Sequence, residues 1–191
     1  MKLKKLNAAL GLLTIVLALV HVAWSVFAYL TFRYDPVMKD LTAYPFMALT
    51  CVHAVLGMCA VFFQSDGTRL DLYPKFNRRT ALQRVSAALI FPLLLVHTRT
   101  FSLMMGLSGA FKWPLFALLM LAQLLFYAVV LTHVATSLSR ALITLGLLSD
   151  EKRLRALDRA VWILCGAVFA AAAVCVTRTQ LIMFLSRGGA A

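Results

Sequence analysis

The sequence predicts an all-α, polytopic membrane protein whose five transmembrane helices form one bundle, and three observations predict it. First, 62% of the 191 residues are hydrophobic and only 14% are charged, whereas soluble domains carry about 25% charged residues. Second, apolar runs of about 20 residues, the length that crosses a hydrocarbon core roughly 30 Å thick, recur five times. Third, short segments rich in charged residues, proline or glycine separate these runs. A single transmembrane domain over residues 1–191 is therefore expected.

The helices are expected at about residues 5–32, 45–64, 80–105, 113–148 and 154–185. Asp35 and Pro36 break the first apolar run, and Pro45 suits the first turn of the second helix. The basic stretch from Asp66 to Arg84 is expected to be a loop that merges into the third helix. The first apolar run continues past Ala23 without a cleavage site of small residues, so it predicts a membrane span rather than a signal peptide.

The formal net charge of +12 comes from basic residues that cluster between the apolar runs. If the N-terminus is cytoplasmic, thirteen of the 19 Lys and Arg residues lie in inner segments and six in outer segments. This asymmetry follows the positive-inside rule, so membrane topology explains the charge and nucleic-acid binding is not expected. The expected location is a bacterial inner membrane, with several spans and a cytoplasmic N-terminus.

The cysteines disfavour one class of membrane enzyme. All four lie inside apolar runs, and none forms a Cys-x-x-Cys pair: Cys51, Cys59, Cys165 and Cys175. They are expected to be small buried hydrophobic residues. A thiol-oxidising enzyme would need a close cysteine pair near one membrane surface.

The sequence contains four histidines, one in each of the first four predicted helices: His21, His53, His97 and His133. An ionisable residue in hydrocarbon is costly, so it usually faces the interior of a bundle and has a function there. Neutral imidazole is a common axial ligand of haem iron. A single histidine in such a helix is equally compatible with a plain hydrogen bond to a carbonyl or hydroxyl group, but four at matched depths favour ligation.

The depths of the histidines predict how they pair. His21 and His97 lie about 16 and 17 residues after the starts of two outward-running helices, or roughly 24 to 26 Å at 1.5 Å per residue. His53 and His133 lie about 11 and 15 residues before the ends of two inward-running helices, or roughly 16 to 22 Å from that side. We therefore expect two b haems, a distal one bound by His21 and His97 and a proximal one bound by His53 and His133. The alternative is a proton relay or pH sensor, but relays usually include carboxylates, and every Asp and Glu lies in a predicted loop or at a helix end.

Haem propionates are anionic and need cationic partners near the membrane surfaces. Four arginines are candidates: Arg99 and Arg178 for the distal haem, and Arg84 and Arg140 for the proximal haem. Each is alternatively an ordinary arginine whose charged end reaches the membrane surface. Gly57 and Ala54 are expected to leave space for a macrocycle beside His53, although small residues also occur at plain helix contacts.

Five helices with one histidine in each of the first four resemble the single-subunit, di-haem cytochrome b anchors of succinate dehydrogenases and quinol:fumarate reductases. Two local patterns support this resemblance. Residues 83–86, which read Gln-Arg-Val-Ser, are similar to a Gln-Arg-x-Thr/Ser pattern at the start of that family's third helix. In the fourth helix, His133, Arg140 and Gly146 have a His-x6-Arg-x5-Gly spacing similar to the family's.

The chain departs from the family pattern at two positions. Ala87 replaces the usual glycine, and Leu131 stands where some members carry an acidic residue, so a proton path that depends on that acid is not expected here. Quinone chemistry still needs a proton donor or acceptor near the site. Asp35 and Asp40, in the predicted outer loop, are the candidates; alternatively, they are solvated loop or helix-cap carboxylates.

The resemblance implies that the chain is the electron-transfer and quinone-reactive subunit of an oxidoreductase complex. It would carry electrons between a quinone, with menaquinone expected, and an iron-sulfur subunit on the cytoplasmic face, while a flavoprotein subunit interconverts succinate and fumarate. Membrane lipids are further partners, and the sequence leaves a higher-order oligomer open. One alternative is the cytochrome b anchor of a formate dehydrogenase or hydrogenase, where one helix commonly supplies two ligands. Another is a haem-free transporter or assembly protein.

Overall fold

The computed structural model describes residues 2–64 and 74–188, and the side chains of residues 2–61 and 78–186. Within these ranges the chain forms five α-helices: α1 (Lys2–Thr31), α2 (Pro36–Gln64), α3 (Pro74–Met105), α4 (Lys112–Leu145) and α5 (Glu151–Gly188). Each contains a stretch of 26 to 36 residues that is long and apolar enough to cross a membrane. The prediction of an all-helical protein with five candidate membrane spans is thus confirmed.

Helix α2 begins at Pro36, not at Pro45 as predicted. Proline is well suited to a first helical turn because the N–H that it lacks would have no helical partner there. Asp35 caps this turn, since its Oδ1 accepts hydrogen bonds from two backbone N–H groups at 2.9 and 3.2 Å. The predicted outer loop is therefore too long, and Asp40 lies in the second turn of α2 rather than in a loop.

The basic segment before the third span is also more helical than predicted. Helix α3 begins at Pro74, so the second half of the stretch expected to be a loop belongs to the helix. The first part of that stretch, residues 66–73, lies outside the described residues. Helix α5 begins at Glu151, which places Asp158 two turns inside it. The expectation that every acidic residue lies in a loop or at a helix end is therefore wrong for Asp158.

The helices pack as two hairpins, α1 with α2 and α3 with α4, and α5 packs on α4 and α1. Each hairpin is antiparallel, because the first half of one helix contacts the second half of the next. Asn7 of α1 contacts His53 of α2, and Gln83 of α3 contacts His133 of α4. Helices α1 and α4 join the hairpins. Among the described residues, α2 packs closely only on α1, and α3 only on α4. This leaves α2 without a close helical neighbour on the side of the second hairpin.

The two ends of the bundle differ in charge. Helices α1, α3 and α5 begin at one end, which we call the basic end. It holds Lys2, Lys4, Lys5, Arg78, Arg79, Arg84, Arg140, Lys152, Arg153, Arg155 and Arg159. The opposite end holds Arg33, Lys39, Arg99, Lys112 and Arg178. The charge asymmetry seen along the sequence is therefore an asymmetry between the two ends of the fold.

Candidate functional site

The structure brings together the imidazoles of His53 on α2 and His133 on α4, which we call the inner pair. Their ring centroids lie 6.4 Å apart, and the ring planes are inclined by 69°. With metal–nitrogen bonds of about 2 Å, one metal ion bound by two imidazoles holds the ring centroids roughly 6 to 6.5 Å apart. The observed spacing therefore fits two axial ligands of one iron.

Backbone carbonyl groups fix the protonation of the inner pair. Nδ1 of His53 lies 3.1 Å from the carbonyl oxygen of Asn7, and Nδ1 of His133 lies 3.1 Å from that of Gln83. Because a carbonyl oxygen only accepts hydrogen bonds, each Nδ1 must carry the hydrogen. In the neutral ring, Nε2 then keeps the lone pair that a metal ion needs.

A glycine on α1 makes room for the His53 ring. A Cβ atom at Gly11 would lie 2.9 Å from Cε1 of His53 and 3.4 Å from its Nδ1. The sequence predicts a different role for Gly57 and Ala54, which are expected to leave space for a macrocycle beside His53. Gly57, however, faces Asn7, where an added Cβ would make an ordinary contact at 3.7 Å. The glycine that the His53 ring requires is therefore Gly11, and a single glycine in an apolar run gives no sequence signal of such a role.

His21 on α1 is held by a side chain of α2. Its Nδ1 lies 3.5 Å from Oγ1 of Thr42, a long contact, and its ring stacks on Phe46 with centroids 5.8 Å apart. The Thr42 hydroxyl donates its own hydrogen to the carbonyl oxygen of Met38 at 2.9 Å. Its oxygen is therefore left to accept from Nδ1–H of His21, as the backbone carbonyls do at the inner pair.

His97 on α3 is also held by a side chain, and we call His97 and His21, which the sequence predicts to bind one haem, the outer pair. Nδ1 of His97 lies 2.6 Å from Nε2 of Gln123 on α4, and the ring stacks on Phe126 with centroids 4.6 Å apart. Nδ1 of each of the four histidines thus has a polar neighbour; at three of them the neighbour is an oxygen, as at ligating histidines, and at His97 it is the amide nitrogen of Gln123.

The two sequence patterns behind the family resemblance meet at His133. The carbonyl oxygen of Gln83 and Oγ of Ser86 lie 3.1 and 3.3 Å from Nδ1 of His133. The side chain of the same glutamine accepts a hydrogen bond from Nη1 of Arg140 at 3.0 Å. Residues 83–86 lie on the same helix as His97, but the antiparallel packing of α3 on α4 places them next to His133.

An ion pair fastens three helices together beside His133. Nη1 and Nη2 of Arg79 on α3 lie 2.6 and 2.8 Å from the carboxylate oxygens of Asp158 on α5. The same guanidinium donates to Oγ of Ser139 at 2.7 Å and to the carbonyl oxygen of Thr136 at 3.1 Å, both on α4. The sequence patterns did not single out this pair, because Asp158 was expected near a helix end.

The four candidate propionate partners differ in their surroundings. Arg84 and Arg140 are half-buried at the basic end, where Arg140 interacts electrostatically with Arg79 and Arg84. Together with Asp158, these three arginines carry a formal net charge of +2, which suits anionic groups. Arg99 and Arg178 are exposed at the opposite end. The geometry therefore favours Arg84 and Arg140 as partners of a buried anion.

The two candidate proton-transfer carboxylates are also unequal. Asp35 uses Oδ1 to cap α2, which is the helix-cap role left open by the sequence. Asp40 lies 2.8 Å from Nζ of Lys39 and two residues before Thr42, the partner of His21. Asp40 therefore lies on the same segment of α2 as Thr42, which contacts His21 of the outer pair.

The spacing of the inner pair fits the axial ligands of a bis-histidine haem, although no larger ligand cluster accompanies it. Within residues 2–61 and 78–186, no group of three or more His, Cys, Asp or Glu side chains is arranged to hold a metal ion. A haem takes its equatorial ligands from the porphyrin, so two imidazoles suffice. Comparisons with family models, curated proteins and solved structures gave no match. The functional argument therefore depends on the arrangement of the histidines.

Proposed function

We propose that this chain is the di-haem cytochrome b anchor of a succinate dehydrogenase or fumarate reductase complex. It would transfer electrons between a quinone, menaquinone by family resemblance, and an iron-sulfur subunit. The observation that carries the proposal is the 6.4 Å spacing of the His53 and His133 rings, each of which has a backbone carbonyl at Nδ1.

Each part of the site has a distinct role in this proposal. The inner pair holds one b haem and the outer pair holds the other, and when bound these haems supply one-electron transfer. Asn7, Gln83, Thr42 and Gln123 orient the four imidazoles through Nδ1. Gly11 allows the His53 ring its position. The surrounding apolar helices exclude water, so ligand geometry and nearby charge set the ease of reduction.

The charged groups at the two ends complete the proposed site. Arg84 and Arg140 neutralise haem propionates at the basic end, and that end docks an acidic iron-sulfur subunit on the cytoplasmic side of a bacterial inner membrane. At the opposite end, Asp40 exchanges protons with a bound quinone or quinol. The complex would also contain a flavoprotein subunit that interconverts succinate and fumarate.

The intact complex provides the test of this function. Purification through a tag on this chain is expected to recover a flavoprotein and an iron-sulfur protein, and added succinate is expected to reduce b haem in the preparation. Recovery of a molybdenum or nickel enzyme instead would identify the anchor of a formate dehydrogenase or hydrogenase. A b-haem preparation that succinate does not reduce, with no flavoprotein present, would contradict the proposed partners.

A haem-free transporter or assembly protein is the second candidate. The observation that favours it is that Nδ1 of His97 faces the amide nitrogen of Gln123, because a neutral imidazole that accepts from this donor carries its hydrogen on Nε2 and binds no metal ion there. A reduced-minus-oxidised visible spectrum separates the two candidates. The b-haem bands are expected from the cytochrome and not from the haem-free protein.

A further inference from the structure

Gln123 lies at the centre of a buried polar chain between α3 and α4. Its side chain is only 4% exposed, and Nε2 lies 2.6 Å both from Nδ1 of His97 and from the hydroxyl oxygen of Tyr127. The Oε1 atom is buried without a hydrogen-bond partner. Burying an amide in an apolar bundle costs free energy unless the amide is hydrogen-bonded. The short contact with His97 is the only one that reaches a candidate ligand, among the contacts described for this amide.

The orientation of this amide decides which nitrogen of His97 is free. The nitrogen and oxygen of a glutamine amide exchange places on a half turn of the group, so either atom can face Nδ1. If the nitrogen donates to Nδ1, the neutral imidazole carries its hydrogen on Nε2 and cannot bind a metal ion there. If the glutamine oxygen instead accepts a hydrogen bond from Nδ1–H of His97, Nε2 of the imidazole is free to bind a metal ion. The inner pair has the second arrangement imposed by backbone carbonyls, whereas His97 depends on a side chain.

We propose that Gln123 is a positioning residue whose amide adopts the alternative orientation, in which Oε1 takes the place of Nε2 and accepts hydrogen bonds both from Nδ1–H of His97 and from the Tyr127 hydroxyl. This inference rests on the proposed function, because it concerns the ligand strength of the outer haem. A hydrogen bond from Nδ1–H to an acceptor makes the imidazole more basic. A more basic ligand stabilises ferric iron, so Gln123 lowers the midpoint potential of the outer haem.

Redox titration of the purified complex, followed by its visible spectrum, tests this role. Gln123→Leu removes the acceptor, while Gln123→Glu keeps an oxygen at the same reach whether or not the carboxyl is protonated. Gln180→Leu is the matched control. Gln180 is also a buried glutamine, 3% exposed, with an unpartnered Oε1 and an amide nitrogen that donates to a tyrosine hydroxyl, that of Tyr29 at 3.0 Å. The contact described for its side chain is to this tyrosine and not to a histidine.

The expected result is a higher midpoint potential for one of the two haems in Gln123→Leu, with the other haem unchanged. Gln123→Glu is expected to keep that potential at or below the wild-type value, and Gln180→Leu to leave both haems unchanged. If Gln123→Leu loses one haem, its retention in Gln123→Glu supports the role. Loss in both variants would overturn it.

Two other results would overturn the inference. A haem-loaded Gln123→Leu variant with wild-type potentials would show that the glutamine does not set the ligand. Equal shifts in Gln123→Leu and Gln180→Leu would assign the effect to general polarity rather than to the His97 contact. These results concern Gln123 alone. A wild-type chain without b-haem bands would instead contradict the proposed function and, with it, this inference.

Discussion

A Cβ atom on Gly11 of α1 would lie 2.9 Å from Cε1 of His53 on α2. Real Cβ atoms essentially never approach another heavy atom so closely, and the atom they would meet belongs to an aromatic ring rather than to a flexible chain end. The ring is also tied through Nδ1 to the Asn7 carbonyl one turn earlier on α1. Gly11 and His53 therefore form one structural unit, in which the glycine permits the position of the imidazole.

Gly11→Ala is expected to displace the His53 ring and to lower the content of one b haem, while the other is retained. The physical reason is that relief of the clash moves the imidazole away from His133. Haem content per chain, measured by the haemochrome spectrum, checks this expectation. The matched control is Gly166→Ala, since an added Cβ there meets nothing within 4 Å and is expected to have no effect. Full haem content in Gly11→Ala would contradict the role of this glycine.

Replacing His133 with alanine is expected to remove one haem selectively, because His53 alone would then remain of the inner pair. Replacing His53 should give the same spectrum. His97→Ala is the comparison variant and should remove the other haem, with a different change in the low-temperature absorption bands. Electron flow from succinate to quinone should stop in all three variants. Unchanged haem content in both inner-pair variants would refute the assigned pair.

Asp158→Asn is expected to destabilise the bundle because it leaves the Arg79 guanidinium without its carboxylate. Breaking a buried ion pair typically costs about 3 to 5 kcal/mol. The side chains of this pair are 31% and 24% exposed, so screening lowers the expected loss to about 2 kcal/mol. Detergent-titrated unfolding in mixed micelles measures it.

A second ion pair on α5 supplies the control for Asp158→Asn. Arg155 and Glu151 lie 2.9 Å apart but are 70% and 77% exposed. Glu151→Gln is therefore expected to change the free energy of unfolding by less than about 0.5 kcal/mol. Equal losses in the two variants would mean that Arg79 and Asp158 have no special role in joining α3, α4 and α5.

The two acidic residues near the start of α2 are expected to respond differently to amidation. Asp35→Asn should leave quinone turnover unchanged, because asparagine caps a helix as well as aspartate does. Asp40→Asn should slow turnover by at least tenfold if this carboxylate exchanges protons with the quinone. Steady-state quinone reduction at constant haem content measures both. Wild-type turnover in Asp40→Asn would exclude that residue as the proton-transfer group.

The five candidate spans, and the placement of one histidine on each of the first four, could be predicted from the sequence because they depend on local patterns. Apolar runs of membrane length predict spans whatever their neighbours are. The start of α2 was harder, since Pro36 and Pro45 both suit a first helical turn, and only the Asp35 cap selects the first of them. The error at this boundary is what placed Asp40 in a loop.

The surroundings of the histidines depend on contacts between helices, which a single sequence does not contain. The carbonyls of Asn7 and Gln83 belong to the backbone, so no residue type marks them as partners of an imidazole. The role of Gly11 likewise follows from the way α1 packs on α2. Gln123 is different, because a glutamine inside an apolar helix is a visible signal, and it lies on the helix that packs against the one carrying His97.

The most direct test of the central claim is the number of haem groups per chain, measured by the haemochrome spectrum and protein quantitation on the purified wild-type protein. Two b haems per chain are expected from the proposed function, one at the inner pair, whose rings lie 6.4 Å apart, and one at the proposed outer pair. A fully folded preparation that contains no haem, even after expression with ample haem supply, would contradict the account.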